Sequence, residues 1–271
     1  MVSGTTAGVF RSASLSPSPY RFLAEVRATP TSPAFWARED FILAAGQPLS
    51  LTVTLQPALT LTATARFDGA GVTPPKDLSR LAFGLRPLDG LSVELATAVT
   101  PAGHATITGV IPARYMLAPS VPAGIAGGVT WTAAAVTING QDVMDKAFDV
   151  ASGGIGAIDV TFTNVASEIG GVLTSASGAA ATDYFVIVIP SDRAYWLPFS
   201  RRIVSTRPDG QGRYVFRNLP PGEYRLALTT DLIPRDLQDT AALERLAAQS
   251  VPFTLRAGEK QMLDLKAGGE F

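Results

Sequence analysis

Three stretches of this 271-residue chain repeat one another, and that repetition limits its fold more than any other feature. Gly103-His-Ala-Thr-Ile-Thr-Gly-Val-Ile-Pro-Ala-Arg-Tyr115-Met-Leu-Ala118 aligns without a gap on Gly212-Arg-Tyr-Val-Phe-Arg-Asn-Leu-Pro-Pro-Gly-Glu-Tyr224-Arg-Leu-Ala227, at a constant offset of 109 residues. A third copy survives as Pro19-Tyr20-Arg-Phe-Leu-Ala24. Similarity at domain length marks an array of like modules.

A second block recurs behind the first. Gly46-Gln-Pro-Leu-Ser-Leu51-Thr-Val53-Thr-Leu55 matches Gly153-Gly-Ile-Gly-Ala-Ile158-Asp-Val160-Thr-Phe162 and Gly258-Glu-Lys-Gln-Met-Leu263-Asp-Leu265-Lys-Ala267. Each copy has a turn glycine followed by alternating apolar and polar residues, the pattern of a half-buried strand. We read each as the closing strand of a module. New alternating segments begin near Pro57 and Ala166, which predicts two whole units, 57–165 and 166–271, each of the size of a two-sheet sandwich. Residues 1–56 then hold only the back part of a unit: a tyrosine strand, a Trp36 strand and a closing strand. Trp36 follows Tyr20 by 16 residues, as Trp131 follows Tyr115, and is read as its counterpart. The absent front strands lead us to expect that Met1 is not the natural start and that the chain is the C-terminal piece of a longer array.

Composition agrees with an all-β chain. Hydrophobic content of 46% supports packed cores, and Gly, Pro, Thr, Val and Ala dominate, the profile of short strands joined by turns. Net charge is −1, so nothing global draws the chain to nucleic acid, and no apolar run reaches the length of a membrane span. With no cysteine, disulfides and thiolate chemistry are excluded. The first eleven residues have neither the charged start nor the apolar stretch of a secretory leader.

The last unit reads most clearly. Tyr184-Phe-Val-Ile-Val-Ile189 predicts a strand buried on both faces, Pro208-Asp-Gly-Gln-Gly212 a hairpin turn, and Pro220-Pro221-Gly222 a second turn before the Tyr224 strand. Asp239–Gln249 predicts one short helix, expected to plug an end of the sandwich. A tyrosine just after a turn buries its ring and caps backbone groups through its hydroxyl, so Tyr20, Tyr115 and Tyr224 are read as structural.

Asp209-Gly-Gln-Gly-Arg-Tyr-Val-Phe-Arg-Asn-Leu-Pro-Pro-Gly-Glu-Tyr-Arg-Leu-Ala resembles the signature of the carboxypeptidase regulatory-like domain, a transthyretin-like (prealbumin-like, CnaB-like) sandwich of about seven strands. The middle unit carries a worn version of it. The resemblance implies tandem prealbumin-like or Ig-like sandwiches, accessory modules of secreted, periplasmic or cell-surface bacterial proteins, and hence an extracytoplasmic location.

No catalytic set emerges. His104 is the single histidine, too few for a two-histidine zinc site, and its place at a turn does not suit a Ser-His-Asp triad. Gly153-Gly-Ile-Gly156 precedes a strand instead of opening a helix, so it is no phosphate loop. Asp142, Asp145 and Asp149 lack calcium-loop spacing and read as a solvated edge. A Lys–Asn cross-link of the kind seen in related surface sandwiches would need Lys76, Asn164 and Glu94 to meet, and is not favoured. We therefore expect no enzyme, no metal and no cofactor. One loop stands out: Arg193, Tyr195, Trp196, Phe199, Arg201, Arg202 and Arg207 interleave aromatics with arginine, and residues 192–225 hold seven arginines against three acids. Such a patch can stack on sugars or bind anions. Alternatively Trp196 packs back on the sandwich and the arginines are solvated. Two readings follow: a non-catalytic spacer or scaffold whose partners are other modules of a longer chain or a cell-surface protein, or a carbohydrate-binding accessory module using Trp196, Arg201 and Arg202.

Overall fold

The computed structural model describes residues 2–6, 8–12, 15–29, 31–91 and 93–268; Met1 and residues 269–271, the end of the expected unit 166–271, are among those outside them. The chain is all-β, with several sheets and, among the described residues, one α-helix. Two large cores form, one from residues between Leu61 and Phe162, the other from residues between Ile169 and Ala267.

Both cores lie inside the same frame. In the first, Leu59–Asp68 is flanked by antiparallel His104–Val110 and by Ile158–Thr163, which runs parallel to it. In the second, Glu168–Thr174 is flanked by antiparallel Arg213–Arg217 and by parallel Lys260–Met262 and Leu265–Lys266. Facing these, the tyrosine strand Ala113–Ser120 sits between Ala82–Pro87 and Phe148–Val150. Its counterpart Gly222–Thr229 sits between Phe185–Pro190 and Ser250–Leu255. To this shared frame the earlier sandwich adds Ala96–Val99, Thr132–Ile138 and Gln141–Asp142, and the later one adds Val204–Thr206.

Alternation explains the packing. Leu61, Ala63 and Ala65 point inward from one front strand, and Ile158, Val160 and Phe162 from the closing strand beside it. The closing strand of the later sandwich is split. Asp264 fills the break by accepting a hydrogen bond from Val172 N–H at 2.8 Å. The Tyr214 hydroxyl caps Leu263 O at the same place.

Four sequence expectations need correction. Residues 51–55 form no strand, and Leu51 and Leu55 are exposed. A closing strand pairs with a parallel front strand, and among the described residues the first segment has none to offer. Trp36 and Trp131 are not counterparts either. The Trp36 strand, Phe35–Leu43, pairs with the Tyr20 strand Ser18–Val26, whereas Thr132–Ile138 pairs with the closing strand in the sheet opposite Tyr115. Nor does Pro208–Gly212 close a hairpin, because Val204–Thr206 and Arg213–Arg217 belong to different sheets. The turn carries the chain across the core, tightened by Asp209 Oδ1, which accepts from Gln211 N–H and Arg213 N–H at 2.9 Å each.

The fourth correction concerns the helix, Thr240–Ala248, capped by Asp239. It does not plug an end. Leu243 packs on Ile187, Ile189, Ile203 and Ala227, so the helix covers the outer face of a sheet. That placement is why Phe185–Pro190 is apolar throughout: Val186 and Val188 face the sandwich core while Ile187 and Ile189 face the helix. Among the described residues, no helix is long and apolar enough to cross a membrane.

Candidate functional site

The arginine-aromatic loop follows directly from Phe185–Pro190, and its side chains divide among several tasks. Asp192 opens a 3-10 turn over Arg193–Tyr195 by accepting from Ala194 N–H at 2.9 Å. Trp196 folds back, its indole N–H donating to Pro190 O at 2.8 Å, and it packs on the cluster beneath the helix. Arg193 lies 5.5 Å from the Trp196 ring centre and pairs with Glu244 of the helix at 3.0 Å. Arg207 stands apart, over the ring of Phe185 at 4.1 Å. Phe199 is exposed, at φ 62°, with Arg86 of the earlier sandwich over its ring at 5.7 Å. The seven candidate residues therefore do not make one continuous surface.

Arg201 and Arg202 meet a residue from the other sandwich. Arg201 Nε donates to Asp145 Oδ1 at 2.6 Å, and Arg202 Nε donates to Asp145 Oδ2 at 2.7 Å. Arg201 also donates to Ala133 O at 2.7 Å. Arg202 donates to Pro221 O at 3.1 Å and to the Tyr224 hydroxyl at 3.0 Å, while Tyr224 donates onward to Pro220 O at 2.7 Å. Tyr195 is enclosed by cations, with Arg202 at 4.4 Å and Lys146 of the other sandwich at 5.2 Å from its ring centre.

Asp145 is 5% exposed and Arg202 7% exposed, so neither belongs to the solvated edge or the solvated loop that the sequence suggests. The loop carrying Asp145 is shaped by Asp142, whose Oδ1 accepts from Met144 N–H at 2.9 Å; Asp145 itself sits at φ 60°. Two guanidinium groups on one carboxylate leave an excess cation. Backbone carbonyls and the Tyr195 face solvate it, as a buried charge requires. No local sequence pattern announces this pairing, because its members lie 56 and 57 residues apart.

The connection between the sandwiches is held at both ends. Only residues 164–167 separate Ile158–Thr163 from Glu168–Thr174. Asn164 brackets Ala70, accepting from its N–H at 2.8 Å and donating to its carbonyl at 3.2 Å. Ser167 donates to Arg256 O and accepts from Gly258 N–H, both at 3.0 Å.

A looser version of this contact joins the first segment to the middle sandwich. Arg38 donates to Pro112 O at 3.2 Å, with Asp89 at 3.9 Å. Pro112 and Pro221 occupy the same place in the repeat, 109 residues apart. At both joints an arginine binds the carbonyl of the turn before the corner tyrosine. In one case it comes from the preceding segment, in the other from the same sandwich.

The remaining chemical candidates stay separate. His104 is exposed, its Nδ1 3.4 Å from Thr64 Oγ1. Asn164 is engaged with Ala70 and Glu94 pairs with Arg27, while Lys76 is exposed, so the cross-link set is not assembled.

No protein-family model matches the chain, that of the carboxypeptidase regulatory-like domain included, and no curated protein matches it. Among solved structures, the chain is similar to GBS52, the minor pilin of Streptococcus agalactiae, at 12% identity and a TM-score of 0.33, over 76% of this chain and 94% of that one. It is similar to a streptococcal ancillary pilin at 12% identity and a TM-score of 0.30, over 90% and 74%. For the Bacillus anthracis TIE protein the values are 12% and 0.27, over 92% of this chain but 43% of the other. The chain thus spans less than half the length of that protein. Likeness at this level carries no argument about function.

Proposed function

We propose that the chain is a non-catalytic structural protein, an extracytoplasmic array of like sandwich modules that acts as a spacer or scaffold. In this reading the modules are 57–165 and 166–271, behind a partial unit at 1–56. The observation that carries the reading is the buried joint, in which Asp145 receives Arg201 and Arg202 and Arg202 reaches on to Tyr224. A freely hinged pair of domains meets through small, polar, mobile surfaces. Here a short, pinned connection and a desolvated ion cluster favour one orientation, because any other leaves buried charge unpaired. The extracytoplasmic part rests on the motif resemblance alone.

Small-angle X-ray scattering tests the spacer reading. The intact chain is expected to give one narrow distribution of interatomic distances, and Asp145→Ala a broader one with both sandwiches still folded. A broad distribution in the unaltered chain would sink the idea. No observation favours the carbohydrate reading, since Trp196 covers the outer sheet face and Arg202 is buried in the joint.

A further inference from the structure

The corner tyrosine of each unit is paired with a phenylalanine on the neighbouring strand: Tyr20 with Phe41, Tyr115 with Phe148 and Tyr224 with Phe253. Three residues before those phenylalanines stand Arg38, Asp145 and Ser250. An odd step along a strand puts Arg38 and Ser250 on the face opposite the tyrosine ring. Asp145 lies in the turn just ahead of its strand.

Each of the three is bonded to the part that packs against its unit. Arg38 donates to Pro112 O of the middle sandwich and faces Asp89 at 3.9 Å. Asp145 accepts from Arg201 and Arg202 of the last sandwich. Ser250 donates to Ala247 O and accepts from Arg225, so its neighbour is the chain's own helix.

The docking loops also correspond. Asp89 and Glu94 follow the strand Ala82–Pro87, and Arg201 and Arg202 follow Phe185–Pro190. Those two strands lie beside the tyrosine strand in one register, Tyr115↔Pro87 and Tyr224↔Pro190. At the same position, then, a cation receives an acidic loop in one joint and an anion receives a basic loop in the other. Neighbouring charges follow suit. Glu94 pairs with Arg27. Glu25, on the same face as Arg38, accepts a backbone hydrogen bond from Glu94, although burial first and the Glu94 carboxylate second raise its pKa. On the middle sandwich, Lys146 and Arg86 face the rings of Tyr195 and Phe199, and the loop that carries Asp89 and Glu94 has no aromatic residue to offer them.

Exchanged partners clash. Arg201 and Arg202 brought to Arg38 set three guanidinium groups together without Asp145, and Asp89 brought to Asp145 opposes two carboxylates. Specificity of this kind rejects the wrong neighbour as well as holding the right one. On the array reading above, we infer that the residue at this position selects which sandwich a unit receives: Arg38 the acidic loop of the middle sandwich, Asp145 the arginine loop of the last.

Because the chain has no cysteine, nitroxide labels can be placed singly, and Ile42, Thr106 and Met262 are exposed sites on the three units. Pulsed electron resonance on the full chain reads the first joint from Ile42→Cys with Thr106→Cys, and the second from Thr106→Cys with Met262→Cys. Both distance distributions are expected to be narrow when nothing else is altered. Asp145→Arg should shift the second joint toward an open form about a hundredfold, and Asp145→Asn, which keeps an acceptor, about tenfold. Arg38→Asp should open the first joint about fivefold more than Arg38→Gln, and adding Asp89→Arg should close it again. In each case the other joint should keep its distance, which shows that the middle sandwich is still folded. Neutral and reversed substitutions that widen a joint equally, or a charge exchange at positions 38 and 89 that restores nothing, would overturn the inference. A broad distribution in the unaltered chain would remove the array reading along with it.

Discussion

Tyr115 and Tyr224 are completely buried, and each hydroxyl donates to the carbonyl four residues back, Ile111 at 3.0 Å and Pro220 at 2.7 Å. Tyr20 makes the same bond to Ser16 at 2.8 Å, but its ring remains partly exposed. Tyr224 differs in also accepting from Arg202, so one corner belongs to a fold and a joint at once. Tyr224→Phe is expected to cost about 2 kcal/mol and Tyr115→Phe about 1 kcal/mol, read from urea midpoints, because only the former leaves a buried arginine short of an acceptor. Alkali should act through the same side chains. Burial raises both phenols to about 12, against an ordinary value of 10. A raised folded pKa means that the stabilisation is complete below the unfolded value and is lost as pH rises through the folded one. Unfolding should therefore set in between about pH 10 and 12, and tyrosinate absorbance from these two rings should rise together with the loss of near-ultraviolet dichroism.

Among the elements, the strand Phe185–Pro190 and the helix Thr240–Ala248 show how one residue pattern can imply another. An unbroken apolar run says that both strand faces are covered, and the helix, together with Trp196, covers the outer one. Leu243 is 1% exposed between Ile187 and Ile189. Leu243→Ala should cost about 3 kcal/mol in calorimetry, by lost transfer energy and an unfilled cavity, and should loosen Trp196, which shares that cluster, as a red shift in fluorescence. Where alternation lacked a partner, it misled. Leu51, Val53 and Leu55 alternate as well as Ile158, Val160 and Phe162 do, yet only the latter have a parallel neighbour.

For the molecule as a whole, the joint decides how the sandwiches behave together. Breaking a buried ion pair by removing one member costs about 3–5 kcal/mol, and Asp145 has two partners, one of them a third exposed. The intact chain is expected to unfold its two sandwiches in one calorimetric transition. Asp145→Ala should split it into two, with the later sandwich, left holding Arg202, melting first. Two transitions of unchanged position in both proteins would show that the joint couples nothing.

The sequence by itself determined the all-β class, the repeated corner tyrosines, the doubly covered strand and the existence of the helix. Each is written in local periodicity, turn residues or a copy of the same pattern elsewhere in the chain. Only the tertiary structure decided that Asp145 is buried, that Arg201 and Arg202 face it, that the helix lies on a sheet face, and that Trp36 and Trp131 have different places. Those outcomes depend on surfaces meeting across tens of residues. A charged side chain looks the same in a sequence whether water or another domain solvates it.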